Sequence, residues 1–165
     1  MVKQVRVGDI FEVPIGNGLK VHLQFIGKDE TQLYSQVIRA FKKRYKVTEK
    51  PTIEDIIIDE IDFYVHLMSI KSGIDAGIWN KIGNHKFTEG EISPIFRSPN
   101  DLNTKKIVFK WHVWAMNSVW KEVTAPSELL SKSYMGSTVL NCTDIVEKIQ
   151  TGKYPFHYPK YPDEE

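Results

Sequence analysis

Five histidines, one cysteine and two short charged runs are the side chains of this chain able to do chemistry. His22, His66, His85, His112 and His157 are scattered, with no HxH or HxxxH pair of the kind that holds a metal on one strand or helix. His66 and His112 both fall in alternating, strand-like sequence. If those strands paired, the two rings and a nearby acid would make the site of a small hydrolase; otherwise they are half-buried strand histidines. Cys142 stands just before a helix start, where a thiol pKa can be lowered, and reads equally as a small buried residue. A single cysteine rules out an intramolecular disulfide and argues against a cysteine-built zinc site. There is no glycine-rich phosphate loop and no G-x-S-x-G elbow. The residues by themselves assign no catalytic, metal or cofactor site.

The charged runs point to binding instead. Arg39, Lys42, Lys43, Arg44 and Lys46 interleave with Phe41 and Tyr45, the composition of a strand that offers cations to phosphates and rings to bases. The same residues would serve as a charged, aggregation-resistant edge strand. Glu54, Asp55, Asp59, Glu60 and Asp62 follow closely. They would present carboxylates to a basic partner, where charge complementarity speeds association and selects among partners. They would equally form a helix start and a solvated strand face, or pair with the basic run. Trp79, the one tryptophan away from residues 111–120, is either a core filler or an interface anchor.

These side chains have to be positioned by a chain of 165 residues, which suits a single domain over 1–165 with an extended Tyr-Pro tail at 154–165. Hydrophobic residues make up 41% and charged residues 26%, with net charge +1, so a domain built mainly as a polycation for nucleic acid is disfavoured. The opening MVKQVRVGDI has no apolar signal core and no window approaches a membrane span; the expected compartment is the cytoplasm.

The strand signals dominate. Residues 107–123 read as a hairpin, with Ile107, Phe109, Trp111, Val113 and Ala115 on one face, a tight turn at Asn117-Ser118, and a return over 119–123. Val5 to Ile15 alternates, with Pro14 marking an edge or an end. Gly16-Asn17-Gly18 is the strongest hairpin turn. A strand over 19–26, a turn at Gly27-Lys28-Asp29-Glu30 and a strand over about 33–47 complete a meander. Thr52 is placed to cap a short helical turn, although an extended run competes there; a strand follows from Ile61 and a short helix lies within 69–79. Residues 80–106 read as a long loop with a short strand near Ile95-Phe96-Arg97. A short helix after Pro126-Ser127 and a last short strand at Val139-Leu140 follow. Thr143 to Thr151 is the clearest helix, with Thr143 as N-cap and Gly152 as its stop. In the tail the tyrosines should lie against the body and the last acids should be loose.

Two stretches together resemble a known family. The opening VGDIFEVPIGNGLKVHLQFIG, and GIWNKIGNHKF with ISPIFR soon after, are similar to the immunity protein 26 family of bacterial polymorphic toxin systems. Gly8, Asp9, Phe11, Pro14, Trp79, Ile82, Gly83 and Phe96 carry the match. The resemblance implies a non-catalytic protein that binds and blocks a cognate toxin domain, with a toxin-facing surface that differs between pairs. The expected fold is α+β: a strongly bent antiparallel sheet or partly open barrel with two or three short helices beside the Thr143 helix. The expected docking surface is Glu54, Asp55, Asp59, Glu60 and Asp62, with Trp79 as anchor. The alternatives are a nucleic-acid-binding β-barrel on the basic run and the hydrolase on His66 and His112.

Overall fold

The computed structural model describes residues 4–88, 90–101 and 107–164. The parts of the opening, of the expected 80–106 loop and of the acidic end that fall on 1–3, 89, 102–106 and 165 lie outside them. In chain order the elements are β1 (Asp9–Gly16), β2 (Leu19–Asp29), β3 (Ser35–Phe41), β4 (Tyr45–Lys46), α1 (Ile53–Ile57), β5 (Ile61–Leu67), α2 (Ile70–Asp75) and β6 (Asn80–Asn84). Then come β7 (Ile95–Pro99), β8 (Lys110–Ala115), β9 (Lys121–Thr124), α3 (Glu128–Ser131), β10 (Tyr134–Met135) and α4 (Cys142–Thr151).

The fold is α+β and largely antiparallel. As expected it is built on antiparallel sheet with short helices; among the described residues the strands form two sheets, and neither closes into a barrel. The first sheet has the order β5-β3-β2-β1-β6, with β4 pairing the start of β2; the second has the order β10-β7-β8-β9, where only β10 and β7 run parallel. One face of the first sheet presents Phe11, Val13, Val21, Leu23, Ala40 and Phe63 to α2 and α4, whose Ile70, Ile145 and Ile149 fill the main core. The other face meets α1 through Ile10, Phe41 and Ile56. Further along it, Ile26 and Val37 meet Phe96 and Trp114 of the second sheet.

The β1–β2 hairpin turns where the sequence says it should, with Asn17 and Gly18 at φ 54° and 70°. That pair of positive φ values is what a two-residue turn matched to strand twist demands. Pro14 pairs only with Lys20 of β2, because β6 stops at the Glu12–Asn80 pair. A residue with no N–H thus lies where β1 has lost its second neighbour. Thr52 caps α1 through a reciprocal box with Asp55, so the helical reading of this segment prevails.

Several expectations are corrected. Gly27 does not open a turn: it sits in a bulge at φ 142° and β2 continues to Asp29, so the chain reverses only after it. The third strand ends at Phe41, and Lys42 to Arg44 bend the chain into the separate β4. Part of the expected 80–106 loop is β6, which covers the free side of β1; Gly83 hid it, since glycine in a strand reads as a break. Ile107 and Phe109 are exposed rather than inward, because β8 starts only at Lys110. The hairpin connection spans 116–120, so Trp120 lies outside β9 and stacks on His112 at 4.0 Å. Val139 and Leu140 form no strand; Leu140 makes one isolated bridge to Leu67, and Tyr134–Met135 supplies the last strand. Asn141, not Thr143, caps α4, with its side chain accepting from the Asp144 N–H at 2.8 Å. The tail tyrosines do pack inward, but Glu164 is not loose: it forms an ion pair with Arg97.

Candidate docking surface

The acidic segment is built on α1 and the turn into β5. Within the helix, Ile53, Ile56 and Ile57 follow the i, i+3, i+4 spacing and turn toward Ile10, Phe41 and Ile82. Glu54 and Asp55 are thereby pointed to solvent, with Glu60 and Asp62 exposed beyond them and Asp59 half-buried. The Thr52 hydroxyl and backbone N–H hold the Asp55 carboxyl below its ordinary value. The same spacing leaves Ile58 off the apolar stripe, and it is 82% exposed between the carboxylates. Sequence reading passed over Ile58 as one of an apolar run; projecting the run on a helix would have singled it out.

The two charged runs do meet. The Lys42 ammonium lies 3.1 Å from the Glu60 carboxylate, and the Tyr45 hydroxyl donates to Asp59 at 3.3 Å. Other cations of the basic run are engaged locally. Arg39 donates to Gln24 at 2.9 Å, Lys43 sits over the Tyr45 ring, and Arg44 donates to the Ile149 carbonyl at 2.7 Å. Phe41 and Tyr45 are buried, so their faces are closed to base stacking.

Trp79 does not join the acidic surface. It is 2% exposed, packs its ring 6.1 Å from Phe11, and lies against Gly73, where a Cβ would come within 2.8 Å of the indole. His66 and His112 are not brought together. His66, on β5, is buried 3.0 Å from Asp29 and against Phe96, whereas His112 belongs to the second sheet and stacks on Trp120. Cys142 is buried, and burial raises its thiol pKa, the reverse of activation.

Of the residues that carry the sequence resemblance, Gly8, Asp9, Phe11, Ile82 and Gly83 lie on or beside the β1–β6 ladder, whereas Pro14 pairs β2, Trp79 fills the main core and Phe96 belongs to the second sheet. Asp9 pairs with Asn84 and Ile10 with Gly83 across β1 and β6. The buried Asp9 carboxylate accepts from the Arg6 N–H at 2.8 Å and the Asn84 amide at 2.9 Å, with the Lys81 ammonium 2.8 Å away. Gly8 has φ 92° and a Cβ there would sit 2.6 Å from the His85 carbonyl oxygen, so only glycine fits. Gly83 leaves room for Ile53 of α1. The motif is thus a clamp that joins β6 and α1 to the sheet, and through α1 it sets the place of the acids.

The family model described as immunity protein 26 matches residues 6–108. The chain belongs to the immunity protein 26 family. The matched span of this family member runs from β1 through β7 and includes the whole acidic segment. Most of the second sheet, α3, α4 and the tail lie beyond it. No curated protein and no solved structure matches the chain. No helix of the described residues is long and apolar enough to cross a membrane.

Proposed function

We propose that this immunity protein 26 family member binds and neutralises a cognate bacterial toxin domain, without catalysis, inside the cell that makes it. Family membership over residues 6–108 is the observation that carries the reading. Docking is assigned to the surface of Glu54, Asp55, Asp59, Glu60 and Asp62, with exposed Ile58 at its centre in the anchoring role that Trp79 is too buried to take. Exposed carboxylates before and after one exposed aliphatic side chain suit a basic cleft with an apolar floor. The charges steer the encounter and the aliphatic group is desolvated on contact.

The test is co-expression with the toxin domain encoded beside this chain. The unmodified chain restores growth and co-purifies in stoichiometric amounts. Reversing Asp59, Glu60 and Asp62 to lysine abolishes both. Unchanged binding after that reversal sinks the assigned surface, and persistent toxicity with the unmodified chain sinks the function.

A further inference from the structure

A cleft of about 650 Å³ lies between β5, β10, the end of α4 and the tail, and it meets a second hollow of about 390 Å³. Asp62 and Gly152 line both, so the two hollows adjoin and are taken together as one groove. Its walls carry Lys148, Lys153 and Lys160 in the first cleft and Lys42 and Arg44 in the second. Lys148 donates to the Gly152 carbonyl at 2.8 Å and lies over the Phe63 and Tyr154 rings. Lys153 and Lys160 are exposed and form no ion pair with a described residue. Phe156 stacks on Tyr154 at 5.6 Å and is 38% exposed, so one aromatic face stands at the rim.

The groove already receives one carboxylate. Glu164 reaches back along it to Arg97, whose guanidinium is set among the rings of Trp111, Tyr158 and Tyr161 at 5.8, 5.9 and 5.3 Å. We propose that the groove binds an extended acidic peptide segment of a partner protein, its carboxylates facing Lys148, Lys153 and Lys160 and an apolar or aromatic side chain against Phe156. Asp62, where the hollows meet, selects peptide over nucleic acid. A peptide can turn an N–H donor toward that carboxylate, whereas a nucleic-acid strand brings a phosphate at every step. The groove shares Asp62 with the acidic docking surface, and Glu60 of that surface pairs with Lys42 on its wall; Lys153 and Lys160, which carry the test, belong to the groove alone.

The experiment is fluorescence anisotropy of the full chain with a short labelled peptide of alternating Glu and Tyr, and separately with labelled oligothymidine, at moderate salt. The peptide binds the unmodified chain more tightly than oligothymidine does. Lys153→Glu with Lys160→Glu, both at exposed positions, weakens it by about tenfold or more while circular dichroism stays unchanged. Glu54→Lys, at an exposed position that lines neither hollow, leaves it unaltered. No peptide binding, tighter binding of oligothymidine, or indifference to the two lysine reversals overturns the proposal.

Discussion

The indole N–H of Trp114 donates to the carboxylate of Asp29 at 3.0 Å, across 85 residues of chain and from one sheet to the other. His66 lies 3.0 Å from the same oxygen, and the N–H groups of Gln32 and Asn117 donate to its neighbour at 3.2 Å each. This carboxylate is the polar joint between the sheets. Burial pushes its pKa up, but the hydrogen bonds from His66, Trp114, Gln32 and Asn117 together outweigh that and hold it below its ordinary 3.8. Its contribution is therefore complete above about pH 4 and is lost as the pH falls through the depressed native value. Asp29→Ala leaves several buried donors without an acceptor and is expected to cost about 3 kcal/mol or more, read from urea unfolding. Trp114→Phe should cost less, because one donor leaves with the ring.

His22 sits fully buried on β2, edge-on to Tyr45 at 5.2 Å, and neither ring nitrogen has a hydrogen-bond partner among the described residues. Burial and the Lys20 ammonium lower its pKa from 6.5 to about 4. Between those values the unfolded chain takes up a proton that the native chain refuses. Stability then falls as the pH drops from 6.5 toward 4, by roughly 3 kcal/mol in full. His22→Phe is expected to flatten that slope in unfolding curves recorded at pH 7 and pH 4.5, and an undiminished slope would assign the titration elsewhere.

Gly8→Ala tests the β1–β6 clamp. The new Cβ meets the His85 carbonyl at 2.6 Å, and the backbone stands at φ 92°. Neither obstacle is a movable side-chain end, so a loss of about 2 kcal/mol or more is expected. Hydrogen exchange should quicken first in β6 and α1. Gly18→Ala meets no atom within 4 Å and carries only the strain of its φ, 70°, so it should cost less.

On the acidic surface, charge and apolar contact should separate kinetically. Glu54→Gln with Glu60→Gln is expected to slow association with the toxin domain and to weaken its salt dependence. Ile58→Ala should leave association nearly unchanged and speed dissociation, since its side chain contributes only once desolvated. Surface plasmon resonance at two salt concentrations distinguishes the two; an Ile58→Ala variant with unaltered dissociation removes that residue from the interface.

The sequence by itself determined what depends on near neighbours. The Asn17-Gly18 turn, the Thr52 cap, the short helix after Pro126-Ser127, the β1–β2–β3 meander and the α4 helix follow from φ preferences, capping chemistry and alternation within a few residues. The family resemblance was legible for the same reason: Gly8, Asp9 and Gly83 serve a backbone geometry that admits few substitutes. The acidic run was legible as a charged surface, because carboxylates at those spacings cannot all be buried. Tertiary structure decided the rest. Residues 107–123 fitted a two-faced hairpin, but only packing against Phe96 and Ile26 decided that Trp114, on the face opposite Trp111, is buried, while Phe109 lost its place when β8 began one residue later. β6 exists because β1 offered a free edge to a segment with weak strand character of its own. Trp79 went to the core because it packs on Phe11 and Gly73, and Ile58 to the surface because α1 rests on Ile10 and Phe41 through Ile53, Ile56 and Ile57. Asp29 with Trp114, and Arg97 with Glu164, are far apart in sequence, and no local periodicity encodes a pairing that forms only once two sheets and a tail have packed.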